Sequence, residues 1–354
     1  MSEPVFSPDD LLARDGTLAV LRPAQHVRGL VPSAPPKEGA LDLFLMLDDA
    51  GRVLAFNGHV DLGTGIRTAL AQIAAEELDV PLDRVTMVLG HTGGTPNQGA
   101  TIASDSIQVS AVPLRRAAAQ ARHHLVALAA QALGVPADDL TVTDGVVHLR
   151  AGGNAGLSYA DLLSGRRDRL VLADSVALKP VSEHRIVGQR VPRVDIPAKA
   201  TGQFVYVHDV RVPGMLHGRV VRPPALPDLK DVANALRANP ARPRLLAAHG
   251  DVDAARDGAA QVLDRTYVWP YQMHASIGPS CAVADVRGDG ATVWSGTQNP
   301  YPLRADISLL LGLPEEAIEI IRHEAAGCYG RNCADDVAAD AALLSRAVGR
   351  PVRV

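Results

Sequence analysis

The chain has 354 residues, enough for roughly two or three domains with cores of their own, and 47% of them are hydrophobic, which excludes a disordered chain. The net charge of −4, with no basic stripe interleaved with aromatics, gives no support to nucleic-acid binding. Three cysteines, Cys281, Cys328 and Cys333, are too few for a disulfide framework and point to a reducing compartment, and the C-x4-C spacing of the last two lacks the further ligands of a zinc or iron–sulfur site.

The N-terminus, Met1-Ser-Glu-Pro-Val-Phe6, has neither a basic n-region nor an apolar run, and no stretch is apolar over the width of a bilayer. The expectation is a cytoplasmic protein without direct membrane insertion. Residues 1–40, with Val31-Pro-Ser-Ala-Pro-Pro-Lys37, read as an N-terminal arm. From Leu41 an α+β pattern begins. Leu43–Leu47 and Val53–Phe56 are candidate strands, and a helix over Ile66–Leu78 follows, with Ile66, Leu70 and Ile73 on one face. Val85–Leu89 is the next strand. After a loop over Gly90–Ala103, an Ala-rich helix runs from about Ser104 to Leu133, and Pro113 must kink it or reset its start. Leu140–Leu149 reads as a hairpin turning at Asp144-Gly145.

A charged stretch at Gly165–Arg169 leads to a β-rich region over Pro197–Arg222, which ends in the Pro-rich break Arg222-Pro-Pro-Ala-Leu-Pro227. Gln261–Val286 is again strand-like, and Ala291–Trp294 is a short strand. Asn299-Pro300 starts a helix that Gly312 stops, with Leu303, Ile307, Leu310 and Leu311 on one face. Ile318–Ile321 is a strand. The last helix has Asp335 and Asp336 in its first turn and Val337, Ala341, Leu344 and Val348 in one stripe. Pro351–Val354 starts a strand whose backbone would remain an unpaired edge. No internal repeat stands out.

Three glycine-rich turns sit at junctions leading into helices: His59–Thr68 around Gly63-Thr64-Gly65, Gly93–Ser106, and Ala325–Asn332. Free N–H groups and the helix dipole make such junctions anion sites, and three of them suggest one large ligand with phosphate and ring donors. Each alone is equally readable as an ordinary helix-capping turn. Gly63-x-Gly65 is not a dinucleotide fingerprint: Thr68 stands at the third glycine, and the strand Val85–Leu89 ends in Gly90-His91 without an acid for a ribose. A nucleotide-cofactor dehydrogenase is thus a weak reading.

The order Thr292-Val-Trp-Ser-Gly-Thr-Gln298-Asn299-Pro300, a helix ending Leu309-Leu-Leu-Gly-Leu-Pro314, the strand Ile318–Arg322, then Gly327-Cys-Tyr329-Gly330-Arg331-Asn332 resembles the xanthine dehydrogenase / aldehyde oxidase family of molybdopterin-binding large subunits. The match continues to Gly349-Arg-Pro-Val-Arg-Val354. His59–Ala111 is similar to the family's other pterin-contacting stretch, and its early position resembles the isoquinoline 1-oxidoreductase and nicotinate dehydrogenase branch. Ile186-Val-Gly188 to Gly214–Pro224 resembles the start of the a/b hammerhead domain. The implied layout is an arm over 1–40, molybdopterin-binding segments over 41–165 and 226–354, and a partial hammerhead-like segment over 166–225.

The resemblance implies a molybdenum–molybdopterin cofactor, in mononucleotide or cytosine dinucleotide form, with no protein ligand to the metal. It places Gln298 at the apical oxo group or the pterin, Gly327, Tyr329, Gly330 and Arg331 near the metal and pterin, Gly63, Thr64 and Gly65 against the pterin, and Thr101, Ser104 and Ser106 on its phosphate side. It implies hydroxylation of an N-heteroaromatic or aldehyde small molecule. Electrons would leave to a two-iron two-sulfur small subunit, and a complementary C-terminal molybdopterin-binding chain would supply the catalytic glutamate. Thr64 stands where the family has Gln, Gly278-Pro279 where many relatives have Glu-Pro, and Ala225-Leu226 passes over much of the hammerhead. A non-catalytic remnant or scaffold is the alternative those departures leave. Glu324 is a candidate base or an ordinary strand-end carboxylate. His59, His91, His274 and His323 are catalytic candidates or hydrogen-bonded structural groups, and Asn332 orients a ligand or caps the last helix.

Overall fold

The computed structural model of the protein describes residues 7–27, 34–152, 156–221, 231–238, 240–245, 247–269, 274–330 and 336–354. Contacts divide it into two units, Met1–Val220 with Ala275–Val354, and Val221–His274.

The larger unit opens with helix α1 (Pro8–Leu12) and strand β1 (Thr17–Pro23). These lie in what the sequence reads as an arm. The structure corrects that reading, because Leu18 to Leu21 are buried and β1 runs antiparallel to β2 (Leu41–Asp48). The polar, Pro-rich stretch that suggested an arm begins only after the strand. β3 (Val53–Asn57) pairs antiparallel with β2, helix α2 (Ile66–Leu78) crosses over, and β4 (Val85–Leu89) returns parallel to β3. Helix α3 (Ala111–Leu133) starts later than the sequence suggests. A π-helical turn over Ser106–Ser110 precedes it, and Pro113 lies in its first turn, where its missing N–H is no loss.

β5 (Leu140–Thr143) and β6 (Val146–Leu149) form the expected hairpin, with Asp144 and Gly145 at φ +51° and +77°, and β7 (Gly156–Ser158) adds a third strand. Helix α4 (Tyr159–Leu163) leads to β8 (Arg167–Val171), which pairs parallel with β1. The first sheet is ordered β4-β3-β2-β1-β8. Phe44, Leu70, Leu114 and Leu125 fill the face under the helices, while Leu11, Met46, Phe56 and Val88 cover the other face. With both faces covered, β2 reads as a continuous apolar run rather than an alternation.

Residues 197–222 were expected to be β-rich. Instead they hold helix α5 (Ile196–Ala200), a 3₁₀ turn over Val207–Asp209 and the short β9 (Leu216–His217). Pro197 sits in the first turn of α5, and Phe204 and Tyr206 pack with their rings tilted by 59° rather than pairing in a ladder. The smaller unit carries helices α6 (Val232–Ala238) and α7 (Val252–Asp257). The strand-like run from Gln261 also fails to pair: β10 begins only at Ala282 (Ala282–Arg287), since apolar spacing makes a strand only where a neighbour supplies the ladder.

β11 (Gly290–Ser295) pairs antiparallel with β10, helix α8 (Pro300–Leu311) crosses over, and β12 (Ile318–Arg322) returns parallel to β11. Helix α9 (Asp336–Val348) buries Ala338, Ala341, Ala342 and Ser345, while Leu344 and Val348 are largely exposed. The buried stripe is therefore the small one, which lets the helix lie close to the sheet. There the Ser345 hydroxyl accepts the Val286 N–H at 2.9 Å and donates to the Arg350 carbonyl. β13 (Val352–Arg353) is no edge: it lies between β10 and β9, in the order β12-β11-β10-β13-β9.

The two sheets thus repeat one topology, which the sequence does not advertise. The hairpin β2–β3, α2, β4, α3 matches the hairpin β10–β11, α8, β12, α9, and β1 and β13 occupy equivalent places beside the first hairpin strand. A short signature does recur. Leu78-Asp-Val-Pro81, Leu133-Gly-Val-Pro136 and Leu311-Gly-Leu-Pro314 each end a helix in a left-handed residue (Asp79, Gly134, Gly312) and then make a 3₁₀ turn into a strand.

Candidate cofactor-binding site

The first glycine-rich turn is closed by its own chain. Asp61 is fully buried, and its carboxylate accepts the N–H groups of Gly63 (2.9 Å), Gly65 (3.2 Å) and Arg67 (3.0 Å). The anion site expected at the start of α2 is therefore occupied internally, because Asp61 reaches those donors without any ligand. Gly65 faces the Arg193 side chain, which an added Cβ would meet at 3.3 Å, and Thr64 lies between the two glycines, exposed.

The second loop fastens to the first turn. The Thr101 hydroxyl accepts the Val60 N–H at 3.0 Å, and Ser106 lies 2.9 Å from the His59 ring. Ala103 and Ser104 hold φ at +53° and +62°, a left-handed backbone costly to residues with a Cβ. Gln298, buried after β11, donates to the Thr101 carbonyl at 3.2 Å and accepts from the Cys328 thiol, so it links the second loop to the third.

The third loop and the first turn meet at a cavity of about 540 Å³. Gly63, Gly296, Ala325, Ala326 and Gly327 give it small walls, and Lys199, Arg322, Glu324, His208 and Asp209 bring charge or polarity. Gly63 has φ +93° with open space where a Cβ would stand, whereas a Cβ on Gly296 would come within 2.5 Å of Ala325. Of the residues the resemblance assigns, Gly63 and Gly327 line this cavity. Thr64, Gly65, Thr101, Ser104, Ser106 and Gln298 do not; Tyr329 and Gly330 follow Gly327 on an exposed stretch. Arg331, Asn332, Cys333 and Asp335 lie outside the described residues.

A chain of buried ion pairs, missed at the sequence level, supports the charged wall. Arg193 grips Asp195 through two hydrogen bonds (3.0 and 2.6 Å), and Lys199 bridges Asp195 and Glu324 at 2.6 Å each. Burial opposes the Asp195 charge, but hydrogen bonds from Arg193 and Lys199 hold its carboxyl far below the usual range. Burial likewise opposes the Lys199 ammonium, and its two carboxylate partners hold its pKa above the usual lysine value. The Glu324 Oε1 atom is sealed from solvent and, among the described residues, accepts no hydrogen bond. The only sequence signal for this network was the i,i+4 spacing of Asp195 and Lys199 on α5.

The candidate histidines act as tethers. His59 contacts Ser106 and the Gln98 carbonyl, and burial lowers its pKa. His91, in the loop after β4, pairs with Glu319 on β12 at 2.8 Å, and that hydrogen bond lowers the Glu319 pKa. His323 approaches the Val205 carbonyl at 3.2 Å. His274 belongs to the smaller unit. Cys281 and Cys328 are free thiols, and among the described residues no group of three or more His, Cys, Asp or Glu could hold a metal ion. No helix among them is long and apolar enough to cross a membrane.

The arrangement fits a flat, polar ring system: a cavity within the usual ligand range, with one stretch of wall free of bulk at Gly63, Gly296 and Ala325–Gly327, and with an orphaned carboxylate oxygen on Glu324, a residue that lines it. Such a cavity can orient a ring.

The molybdopterin cofactor-binding domain family matches residues 29–206, and a second match of that description covers residues 238–354. The chain belongs to this family, in its xanthine dehydrogenase / aldehyde oxidase type. Over its whole length it is 49% identical to a nicotinate dehydrogenase component of Pseudomonas putida, of which it covers 35%. It is 28% identical to the isoquinoline 1-oxidoreductase beta chain of Brevundimonas diminuta over 83% of its length and 51% of that chain. Among solved structures, quinoline 2-oxidoreductase from Pseudomonas putida 86 is 32% identical over 33% of this chain and 15% of that one, with a TM-score of 0.28. The chain spans between about a third and a half of the length of these two curated relatives.

Proposed function

We propose that this chain is a large-subunit component of a molybdenum hydroxylase and holds one side of a molybdenum–molybdopterin cofactor. The substrate class is an N-heteroaromatic of the nicotinate or isoquinoline kind, with an aldehyde as the alternative. When bound, the cofactor supplies the oxidative hydroxylation chemistry, and the protein supplies orientation and electrostatics. The partners are a two-iron two-sulfur small subunit carrying the electrons away and a complementary C-terminal molybdopterin-binding chain providing the base; the setting is the cytoplasm.

One observation carries the reading. Gly63, from the β3–α2 loop of the first half, and Gly327, from the loop between β12 and α9 of the second, meet on a single cavity of about 540 Å³. In this assignment Gly63 and Gly327 form the surface against the pterin, with Thr64 and Gly65 beside the first and Tyr329 and Gly330 extending the second; Arg331 is assigned to the cofactor from the resemblance alone. Gln298, Thr101, Ser104 and Ser106 brace the loops beside it. The names of the two curated relatives support the N-heteroaromatic class over the aldehyde one.

The test is metal and pterin analysis of the chain purified alone and with its co-expressed neighbouring subunits. Molybdenum near one equivalent in the complex, together with a released pterin, is the expected result, and nucleotide analysis of the same sample separates the cytosine dinucleotide from the mononucleotide form. A complex free of both would leave the fold without the chemistry and overturn the proposal.

A further inference from the structure

We infer that Glu324, locked in place by Lys199, is the acceptor that recognises an N–H donor edge of the nitrogen heterocycle occupying the 540 Å³ cavity. The inference rests on the functional reading above and deepens it.

The Glu324 side chain is only 6% exposed, yet the residue lines the cavity. One carboxylate oxygen is taken by Lys199 at 2.6 Å; the other, sealed from water, accepts no hydrogen bond among the described residues. A buried acceptor without a donor is destabilising, so the position is one that a ligand's donor would relieve. The carboxylate cannot swing toward another partner. Lys199 is held by Asp195, Asp195 by two bonds from Arg193, and the Lys199 ammonium also lies 4.7 Å over the Phe204 ring. Lys199 is thus a positioning residue and Glu324 a binding residue.

The chemistry of the acceptor defines the ligand's edge. A salt-bridged carboxylate accepts and does not donate, so the partner must present an N–H: an exocyclic amine, a ring N–H or a protonated ring nitrogen. The aminopyrimidinone edge of a pterin has this chemistry, and so does an N-heteroaromatic substrate whose ring nitrogen carries a proton. An aldehyde carbonyl has none. The small residues Gly63, Gly296, Ala325, Ala326 and Gly327 let a flat ring lie against the wall that carries the carboxylate.

The experiment uses the full complex with Glu324→Gln, which keeps the size and removes the charge, and Glu324→Asp, which keeps the charge and withdraws the oxygen. Lys199→Arg retains the positioning charge. Molybdenum and pterin per chain are measured together with steady-state kinetics on nicotinate and on benzaldehyde. If the edge belongs to the pterin, both Glu324 variants retain about tenfold less cofactor through gel filtration, and the residual holoenzyme keeps its KM. If it belongs to the substrate, cofactor content holds while KM for nicotinate rises about tenfold and benzaldehyde turnover is unchanged. In either case Lys199→Arg stays within a fewfold of wild type.

Cofactor content and both KM values unchanged in the two Glu324 variants would overturn the inference and leave Glu324 a structural ion-pair partner. Should the glutamine variant fail to fold, the aspartate variant, whose ion pair survives, decides. A wild-type complex lacking molybdenum and pterin would overturn the cofactor reading instead. Glu324 is then read by titrating 6-hydroxymethylpterin into wild-type and Glu324→Gln complexes, where equal affinity, or none, sinks it.

Discussion

The two repeated halves reach one topology by different means. In the second, α8 buries Leu303, Ile307 and Leu311 against its sheet, and at its Gly312 cap Arg346 of α9 donates to the Leu311 carbonyl at 3.1 Å, with no carboxylate at the cap position itself. In the first, α2 buries alanines and Leu70 on the sheet side and two glutamates on the other. Glu76 accepts three backbone N–H groups, from Arg185, Ile186 and Val187, at 2.6 to 2.9 Å, and pairs with Lys179. At the cap equivalent to Gly312 stands Asp79, left-handed at φ +53°, whose carboxylate holds Lys179 and Arg122. The charges fasten the strap of residues 179–195 across α2, and that strap carries Arg193 and Asp195, which hold Lys199 on the cavity wall. One helix packs mainly through apolar volume; the charges on its counterpart fasten the segment that leads to a site.

The largest expected break in the comparison is Lys179→Met. It removes the ammonium shared by Glu76 and Asp79, both nearly buried, leaving Glu76 its backbone N–H donors and Asp79 the Arg122 pair, and should cost about 4 kcal/mol at pH 7. Burial alone would raise the Glu76 pKa, but the N–H bonds and Lys179 lower it. Its contribution is therefore present at neutral pH and lost as pH falls through the folded-state value, so the Lys179→Met penalty should shrink in acid. Leu303→Ala in the other half should cost about 3 kcal/mol at every pH. Urea denaturation of each variant at pH 7 and pH 4 checks both; equal pH dependence would erase the distinction.

A smaller effect, of opposite sign, comes from β2. Burial raises the Asp42 carboxyl to about 6 against the weaker pull of Arg22 at 3.9 Å. The folded state binds the extra proton, so stability falls as pH rises from about 4 to 6, by on the order of 2–3 kcal/mol. Asp42→Asn should flatten that slope. A difference from wild type that stays constant between pH 4 and pH 8 would refute the assignment.

The smallest is Gly312→Ala. The backbone holds φ +65° and an added Cβ meets nothing within 4 Å, so only the left-handed conformation is penalised, by about 1 kcal/mol. A shift in thermal midpoint much larger than that allows would mean a contact at the α8 cap beyond the backbone.

Much of the fold was legible. The limits of α2 and β4, the Asp144-Gly145 turn and the Asn299–Gly312 bounds of α8 all stood in local residue chemistry. β1 was not, because a buried strand inside a polar stretch shows itself only when its partners are known. The runs over 197–222 and 261–269 erred the other way, since apolar spacing cannot supply a neighbour. The α9 stripe was misjudged because alanines, not the larger Val337 and Leu344, set the closest approach to the sheet.

For the site, the sequence by itself marked the three glycine-rich turns and the family they resemble, because glycine at a positive φ and a helix start are local facts. Which turns face the cavity was a tertiary decision. Asp61 filled the first anion site from within, a matter of where one carboxylate falls three-dimensionally. Lys199 and Glu324 lie 125 positions apart. No spacing rule joins groups that far apart; only the strap across α2 and the end of β12, brought together by burial and by paired charge, place them on one wall.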